Sequence, residues 1–279
     1  MSSDLWEGSE LAPLTSLFYR QAMLALCEAH VPFLVGGAYA LAHYAGIIRH
    51  TKDLDLFVQP DNYAHTAEVL RSAGYRIELT FPHWLGKAFC GEDCIEDCID
   101  VIFSSGNGVA TVDATWFAHA DTGAVMGVPV SFCPPEEMLW SKSYIMERER
   151  YDGADVIHLL HAQGKRFDWP RLLRRFGPHW RVLLSHLILY GFVYATAQSH
   201  IPEWVMQELL HRLQRELQQP SAADLLCQGT LLSRVQYRRA IECWGYRDAR
   251  LAPYGNMTAE AVAQWSAGVA TEEHRHDKS

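Results

Sequence analysis

The sequence has no long hydrophobic run. Its most apolar stretch, Val182 to Ala195 (VLLSHLILYGFVYA), is too short for a bilayer and carries Ser185, His186 and Gly191. It reads instead as a helix buried in a helical bundle. No basic segment joined to an apolar core opens the chain, so no secretory leader is expected. Positive charge is also scarce. Against 33 aspartates and glutamates stand 24 lysines and arginines, for a net charge of −9, which argues against general adhesion to nucleic acid. Neither an HExxH helix nor paired C-x2-C motifs occur. The seven cysteines are odd in number and lack a secreted-scaffold spacing, and they read as free thiols of a reducing cytoplasm. Internal repeats and low-complexity tracts are missing as well.

What is present is ordinary for a globular chain: 49% hydrophobic and 20% charged residues over 279 positions, enough for one large domain or two smaller ones. Residues 11–29 carry apolar side chains at helical spacing, with Leu14, Phe18, Met23 and Leu26 near one face. A short apolar run, Val31 to Val35, reads as a buried strand that stops at Gly36-Gly37, and a helix follows from Ala38 to Tyr44. Asp53 to Val58 alternates polar and apolar, the period of a half-buried strand. Asp61 after Pro60 is the expected N-cap of a helix through Leu70 to Gly74. Tyr75 to Leu79, Ile99 to Phe103 and Gly127 to Phe132 are further expected strands, with a turn at residues 104–108 (SSGNG). After Pro134-Pro135 almost every segment reads as helix. The expected organisation is an α+β domain over residues 1–134, a helical domain over 135–267, and a disordered tail over 268–279 with little to bury.

Chemistry concentrates in the first part. Asp53 and Asp55 are two apart on a strand, so both project from one face while Leu54, Leu56 and Val58 project from the other. Two carboxylates held that close repel unless a cation lies between them. Magnesium takes such oxygen ligands, usually one or two carboxylates completed by substrate phosphates and water. Asp100, in CIDVIFS, shares a strand face with Cys98 and Ile102. Flanked by Ile99 and Val101 it needs a partner, for which a metal, Arg49 or Lys52 would serve. The Gly36-Gly37 pair lets backbone approach phosphate closely, and the helix start after it offers N–H groups to anions.

Each piece alone is common in structures that bind nothing; their order carries the information. LVGGAYAL, TKDLDLFV and CIDVIF together resemble the signature of the polymerase-beta-like nucleotidyltransferase superfamily. The resemblance covers residues 31–103 directly, and the stretch between Gly37 and Asp53 is slightly longer than the family pattern. It implies a small mixed sheet with helices, followed here by a C-terminal helical bundle. It also implies two magnesium ions, or manganese in their place, on Asp53, Asp55 and Asp100. Gly36 and Gly37 would lie against the triphosphate of ATP or another NTP, with Lys52 a further candidate for nucleotide contact. The implied chemistry moves a nucleoside monophosphate to an acceptor hydroxyl and releases pyrophosphate.

Lys142 lies about ten residues before Asp152 and Asp155 (RYDGADV). This resembles the lysine–aspartate element of toxin-type nucleotidyltransferases of bacterial abortive-infection systems, which implies nucleotide contact by Lys142 and Asp155 and a partner antitoxin. An equally simple reading is a surface lysine beside a helix with exposed acids. Cys90, Cys94 and Cys98 recur every four residues, a spacing wrong for a zinc ribbon, so free thiols are expected. The basic run Lys165 to Arg181 is either an RNA-facing surface or, as favoured, a helix packing Leu172, Leu173 and Phe176 inward. Three functions follow: transfer to an RNA or tRNA end, transfer to a small hydroxylated molecule such as an aminoglycoside or lincosamide, and non-catalytic nucleotide or partner binding. Retention of all three acids favours the enzymes.

Overall fold

The computed structural model describes residues 12–49, 51, 53–90, 97–218 and 225–276. The chain divides into two units, Met1–Ser105 with Thr111–Met138, and Gly106–Ala110 with Leu139–Ser279.

The first unit opens with α1 (Pro13–Glu28), which starts at a proline suited to the first helical turn. Its buried face is Phe18, Tyr19, Ala22, Met23 and Leu26, a helical stripe. Leu14, expected on that face, is 79% exposed in the first turn of the helix. The strand β1 is only Leu34–Val35 and runs straight into α2 (Gly37–Ala45), which ends on the left-handed Gly46. The next strand, β2 (Asp53–Phe57), alternates as its sequence requires, with Leu54 and Leu56 wholly buried. Each such leucine stabilises the fold by about 2 kcal/mol relative to exposure. Pro60–Asn62 forms a 3-10 turn before α3 (Tyr63–Ser72). Asp61 therefore lies inside that turn and is not the helix cap; the capping position falls to Asn62, whose side chain makes no capping bond.

A hairpin follows, β3 (Arg76–Phe81) and β4 (Leu85–Phe89), and then β5 (Cys98–Ile102). The short α4 (Ala114–Ala118) is capped by Asp113, whose carboxylate accepts from Thr115 N at 2.8 Å. A second hairpin joins β6 (Asp121–Val125) to β7 (Val128–Phe132). Its turn residues Met126 and Gly127 both have positive φ, 50° and 74°, as the tight turn matching strand twist demands. Neither β4 nor β6 was expected from sequence. Both hold weak strand formers, such as Gly86 and Ala88 in one and Gly123 and Ala124 in the other. The strands make one mixed seven-stranded sheet in the order β3-β4-β5-β2-β1-β7-β6. The β2–β5 and β1–β7 pairs are parallel, and the rest are antiparallel.

The helix α5 (Pro135–Lys142) carries the chain from the first unit into the second. There follow α6 (Gly153–Gln163), α7 (Trp169–Phe176), α8 (Trp180–Val193) and α9 (Glu203–Gln218). Their inward faces bury Val156, Leu159, Leu172, Leu183, Leu187 and Val205. The start of α7 is capped by Asp168, whose side chain accepts from Arg171 N at 3.0 Å. Beyond them this unit is not all helix. Two short strands, β8 (Leu226–Cys227) and β9 (Arg247–Asp248), pair in parallel around α10 (Arg238–Cys243). The last helix, α11 (Ala259–His276), extends into the expected tail, and residues 277–279 lie outside the described residues. Residues 106–110, which overlap the turn expected at 104–108, belong to this unit: Asn107 Nδ2 donates to the Leu231 carbonyl at 2.7 Å. No described helix is long and apolar enough to cross a membrane.

Candidate active site

The parallel register of β2 and β5 pairs Asp53 with Cys98 and Asp55 with Asp100. Side chains alternate along each strand, so Asp53, Asp55 and Asp100 emerge on one face, half-buried, while Leu54, Leu56, Ile99 and Val101 fill the other. A carboxylate oxygen from each of the three lies within 4.8 Å of the others. Continued across the sheet, one row reads Glu78 on β3, Lys87 on β4, Asp100 on β5 and Asp55 on β2. The next row reads Arg76, Phe89, Cys98 and Asp53.

Three groups fix this constellation. Thr51 Oγ1 donates to Asp53 Oδ1 at 2.5 Å. Lys87 Nζ donates to Asp100 Oδ1 at 2.6 Å. The Gly36 N–H donates to the Asp55 carbonyl at 2.9 Å. The cation on Asp100 thus comes from β4, whereas the sequence had offered Arg49, which is exposed, or Lys52, which lies outside the described residues. Lys87 is the only lysine or arginine between Arg76 and Lys142. That isolation within an acidic stretch was the available signal for it.

The glycine pair is required by contact as well as by conformation. Gly37 has φ +54°, and a Cβ added there would stand 1.6 Å from Asp55 Oδ2. Any side chain would displace the carboxylate. At Gly36 an added Cβ would meet the Phe57 ring at 2.3 Å. The first-turn N–H groups of α2, which have no acceptor inside a helix, therefore begin beside Asp55.

Electrostatics in the cluster lean one way. Burial pushes the Asp100 carboxyl above its ordinary range; Lys87 opposes this and Asp53 adds to it. Burial pulls the Lys87 ammonium down, but Asp100, Cys98 and Asp53 outweigh it, and the lysine holds its proton more tightly than usual. The Cys98 thiol is pushed up to about 12, first by burial and then by Asp100. Tyr39, wholly buried on α2, is raised by burial and then by Asp53 and Asp55. Every shift favours protons or cations. Three carboxylates gathered within 4.8 Å make an all-oxygen donor set, which fits a hard divalent ion such as magnesium.

The helical unit holds a second cluster. Lys142 Nζ lies 2.8 Å from Asp152 Oδ2 and 2.9 Å from Asp155 Oδ2, with all three side chains at most 10% exposed. Arg150 adds a bidentate contact to Asp152 at 3.0 and 3.2 Å. Burial alone would raise Asp152, but Lys142 and Arg150 outweigh it and hold the carboxyl down to about 2. Of the two readings, the surface lysine beside exposed acids does not hold, since all three side chains are buried. In the basic run Leu172, Leu173 and Phe176 pack inward as favoured. Arg171 is buried near Asp168, Arg175 covers the Trp140 ring at 5.1 Å, and Arg181 pairs with Glu216.

The family model described as uncharacterised nucleotidyltransferase matches residues 22–179, more than half of the chain. The chain belongs to this nucleotidyltransferase family. The match spans the glycine pair, all three acids and the Lys142 cluster, and members of the family generally use divalent metals. No protein of curated function matches the sequence. Among solved structures, the antibiotic-resistance factor ANT(2″)-Ia is similar at 17% identity, covering 63% of this nucleotidyltransferase and 98% of that chain, with a TM-score of 0.44. The lincomycin-bound lincosamide antibiotic adenylyltransferase LnuA is similar at 15% identity over 54% and 98%, TM-score 0.38. JHP933 from Helicobacter pylori is similar at 14% identity over 75% and 96%, TM-score 0.40. Of the cysteine triplet of this nucleotidyltransferase, Cys90 and Cys98 are free thiols, and Cys94 lies outside the described residues.

Proposed function

We propose that this protein moves a nucleoside monophosphate from an NTP, ATP among them, to an acceptor hydroxyl, with Asp53, Asp55 and Asp100 as the catalytic metal ligands. The observation that carries this reading is the β2–β5 register, which gathers three carboxylates within 4.8 Å beside Gly37. Two magnesium ions, or manganese in their place, would polarise the transferred phosphoryl group and neutralise charge on the departing pyrophosphate. Gly36 and Gly37 keep the start of α2 bare of side chains, so that backbone N–H groups can meet the triphosphate. Thr51 orients Asp53, and the close seat of Gly37 against Asp55 fixes that second carboxylate. Asp100 is the ligand taken to lie nearest the acceptor hydroxyl, which it or the bound metal would deprotonate. Most of the acceleration comes from positioning and charge neutralisation.

An RNA or tRNA end is the acceptor implied by the toxin-type resemblance, and a partner antitoxin belongs to that reading. A small hydroxylated acceptor of the aminoglycoside or lincosamide kind is supported by a specific observation. Arg171, Arg175 and Arg181 of the basic run are engaged with Asp168, Trp140 and Glu216, which leaves less cationic surface for RNA than the sequence implies. For Lys142 and Asp155 the closed ion cluster supports a structural role better than nucleotide contact. The test is incubation with each labelled NTP and magnesium, once with total RNA and once with a panel of hydroxylated small molecules. Label on one acceptor class that vanishes in Asp53→Ala supports the reading and names the class. No transfer and no pyrophosphate release across both arms would overturn it.

A further inference from the structure

We propose that Lys87 is a built-in counter-cation of the acid cluster, holding Asp100 while no divalent ion is bound and competing with that ion for the same carboxylate. The inference rests on the metal-site reading above and goes beyond it. Its first support is position. Lys87 on β4 stands directly opposite Asp100 on β5, Nζ is 2.6 Å from Oδ1, and the pair lies between interior strands of the sheet. A buried carboxylate needs such a partner to fold. A divalent ion on the same carboxylate meets an ammonium at contact distance, and like charges at that range repel strongly.

The second support is a place for the lysine to go. Glu78 faces Lys87 from the other side, on the same row and the same sheet face. Glu78 is exposed, and Arg76 at the sheet edge holds its carboxylate loosely, at 3.8 Å. Lysine is a compact charge on a flexible stem, so it can trade Asp100 for Glu78 by side-chain rotation with the backbone ladder intact. The row Glu78–Lys87–Asp100–Asp55 then works as an exchange in which the arriving ion takes Asp100 and the ammonium moves to Glu78.

Manganese binding to the nucleotide-free full chain, read by electron paramagnetic resonance, tests this without reference to activity. Lys87→Met is expected to bind manganese about tenfold more tightly than wild type at pH 8, to melt lower without metal, and to gain more from added magnesium. Lys87→Arg, which keeps the charge, should stay close to wild type in both measurements. Glu78→Gln removes only an exposed side chain and is expected to weaken manganese binding about threefold, which keeps the test open should Lys87→Met fail to fold. Unchanged or weaker binding in Lys87→Met, or unchanged binding in Glu78→Gln, overturns the exchange. If manganese binds wild type and is lost in Asp53→Asn while both Lys87→Met and Glu78→Gln match wild type, the exchange alone falls. If manganese binds neither wild type nor Lys87→Met, the metal site falls with it.

Discussion

Two lysine–carboxylate clusters in this chain use the same groups with opposite effects on their acids. In the sheet unit Asp53, Asp55 and Asp100 gather within 4.8 Å, and the Lys87 ammonium contacts Asp100. In the helical unit two carboxylates, Asp152 and Asp155, face two cations, Lys142 and Arg150. The consequences diverge: Asp100 is raised above its ordinary range, whereas Asp152 is held down to about 2. A balanced buried cluster is a structural pin, since its charges satisfy one another. Carboxylates gathered on one sheet face, with Asp100 raised, favour a cation, which makes the sheet cluster the candidate site.

The largest expected effect breaks the sheet cluster. Asp53→Ala or Asp55→Ala should lower the rate of nucleotide transfer by about 10³-fold or more with little loss of stability, because each removes a repelling charge. Pyrophosphate release and thermal melts, measured side by side, check both halves. The matching cut in the helical unit should do the reverse. Lys142→Met leaves Asp155 buried without its ammonium and is expected to cost about 3–5 kcal/mol of stability in urea unfolding. Lys142→Arg keeps the charge; if it raised KM for the nucleotide without loss of stability, Lys142 would have a binding role after all.

Acid titration separates the clusters by sign. Asp152 sits at about 2 against an ordinary 3.8, so its stabilisation is complete above the ordinary value and is lost as the pH falls through about 2. Linkage puts that loss at about 2–3 kcal/mol. Asp100 is raised, so its buried charge costs stability above the raised value, and the cost is relieved as the pH falls through it. Asp152→Asn should therefore flatten the acid limb of stability, which urea melts from pH 2 to 8 read. The smallest effect concerns the glycine pair. Gly37→Ala is expected to cost about 1–2 kcal/mol for its left-handed backbone, and to lower transfer further by displacing Asp55.

The site was legible in the sequence where local period settles it. Alternation in DLDLFV and CIDVIF assigns faces to Asp53, Asp55 and Asp100, and Gly36-Gly37 announces a break before α2. What escaped depends on register between strands, which no single segment encodes. Lys87 matters because β4 pairs with β5 so that it faces Asp100, and β4 itself was hidden by Gly86 and Ala88. Tyr63 packs against Gly86, where an added Cβ would lie 2.1 Å from its hydroxyl; this contact keeps a weak strand former in place and is invisible in local periodicity. The same holds for β6, and for Asp61, whose fate was decided by the 3-10 turn around it.

The most direct test of the acid cluster needs no acceptor. Manganese titration in the presence of a non-hydrolysable NTP, followed by electron paramagnetic resonance, compares wild type, Asp53→Asn and Asp152→Asn. A catalytic metal site in the sheet unit requires that binding be lost in Asp53→Asn and be unchanged in Asp152→Asn. Binding that survives Asp53→Asn, or is lost only in Asp152→Asn, would contradict it.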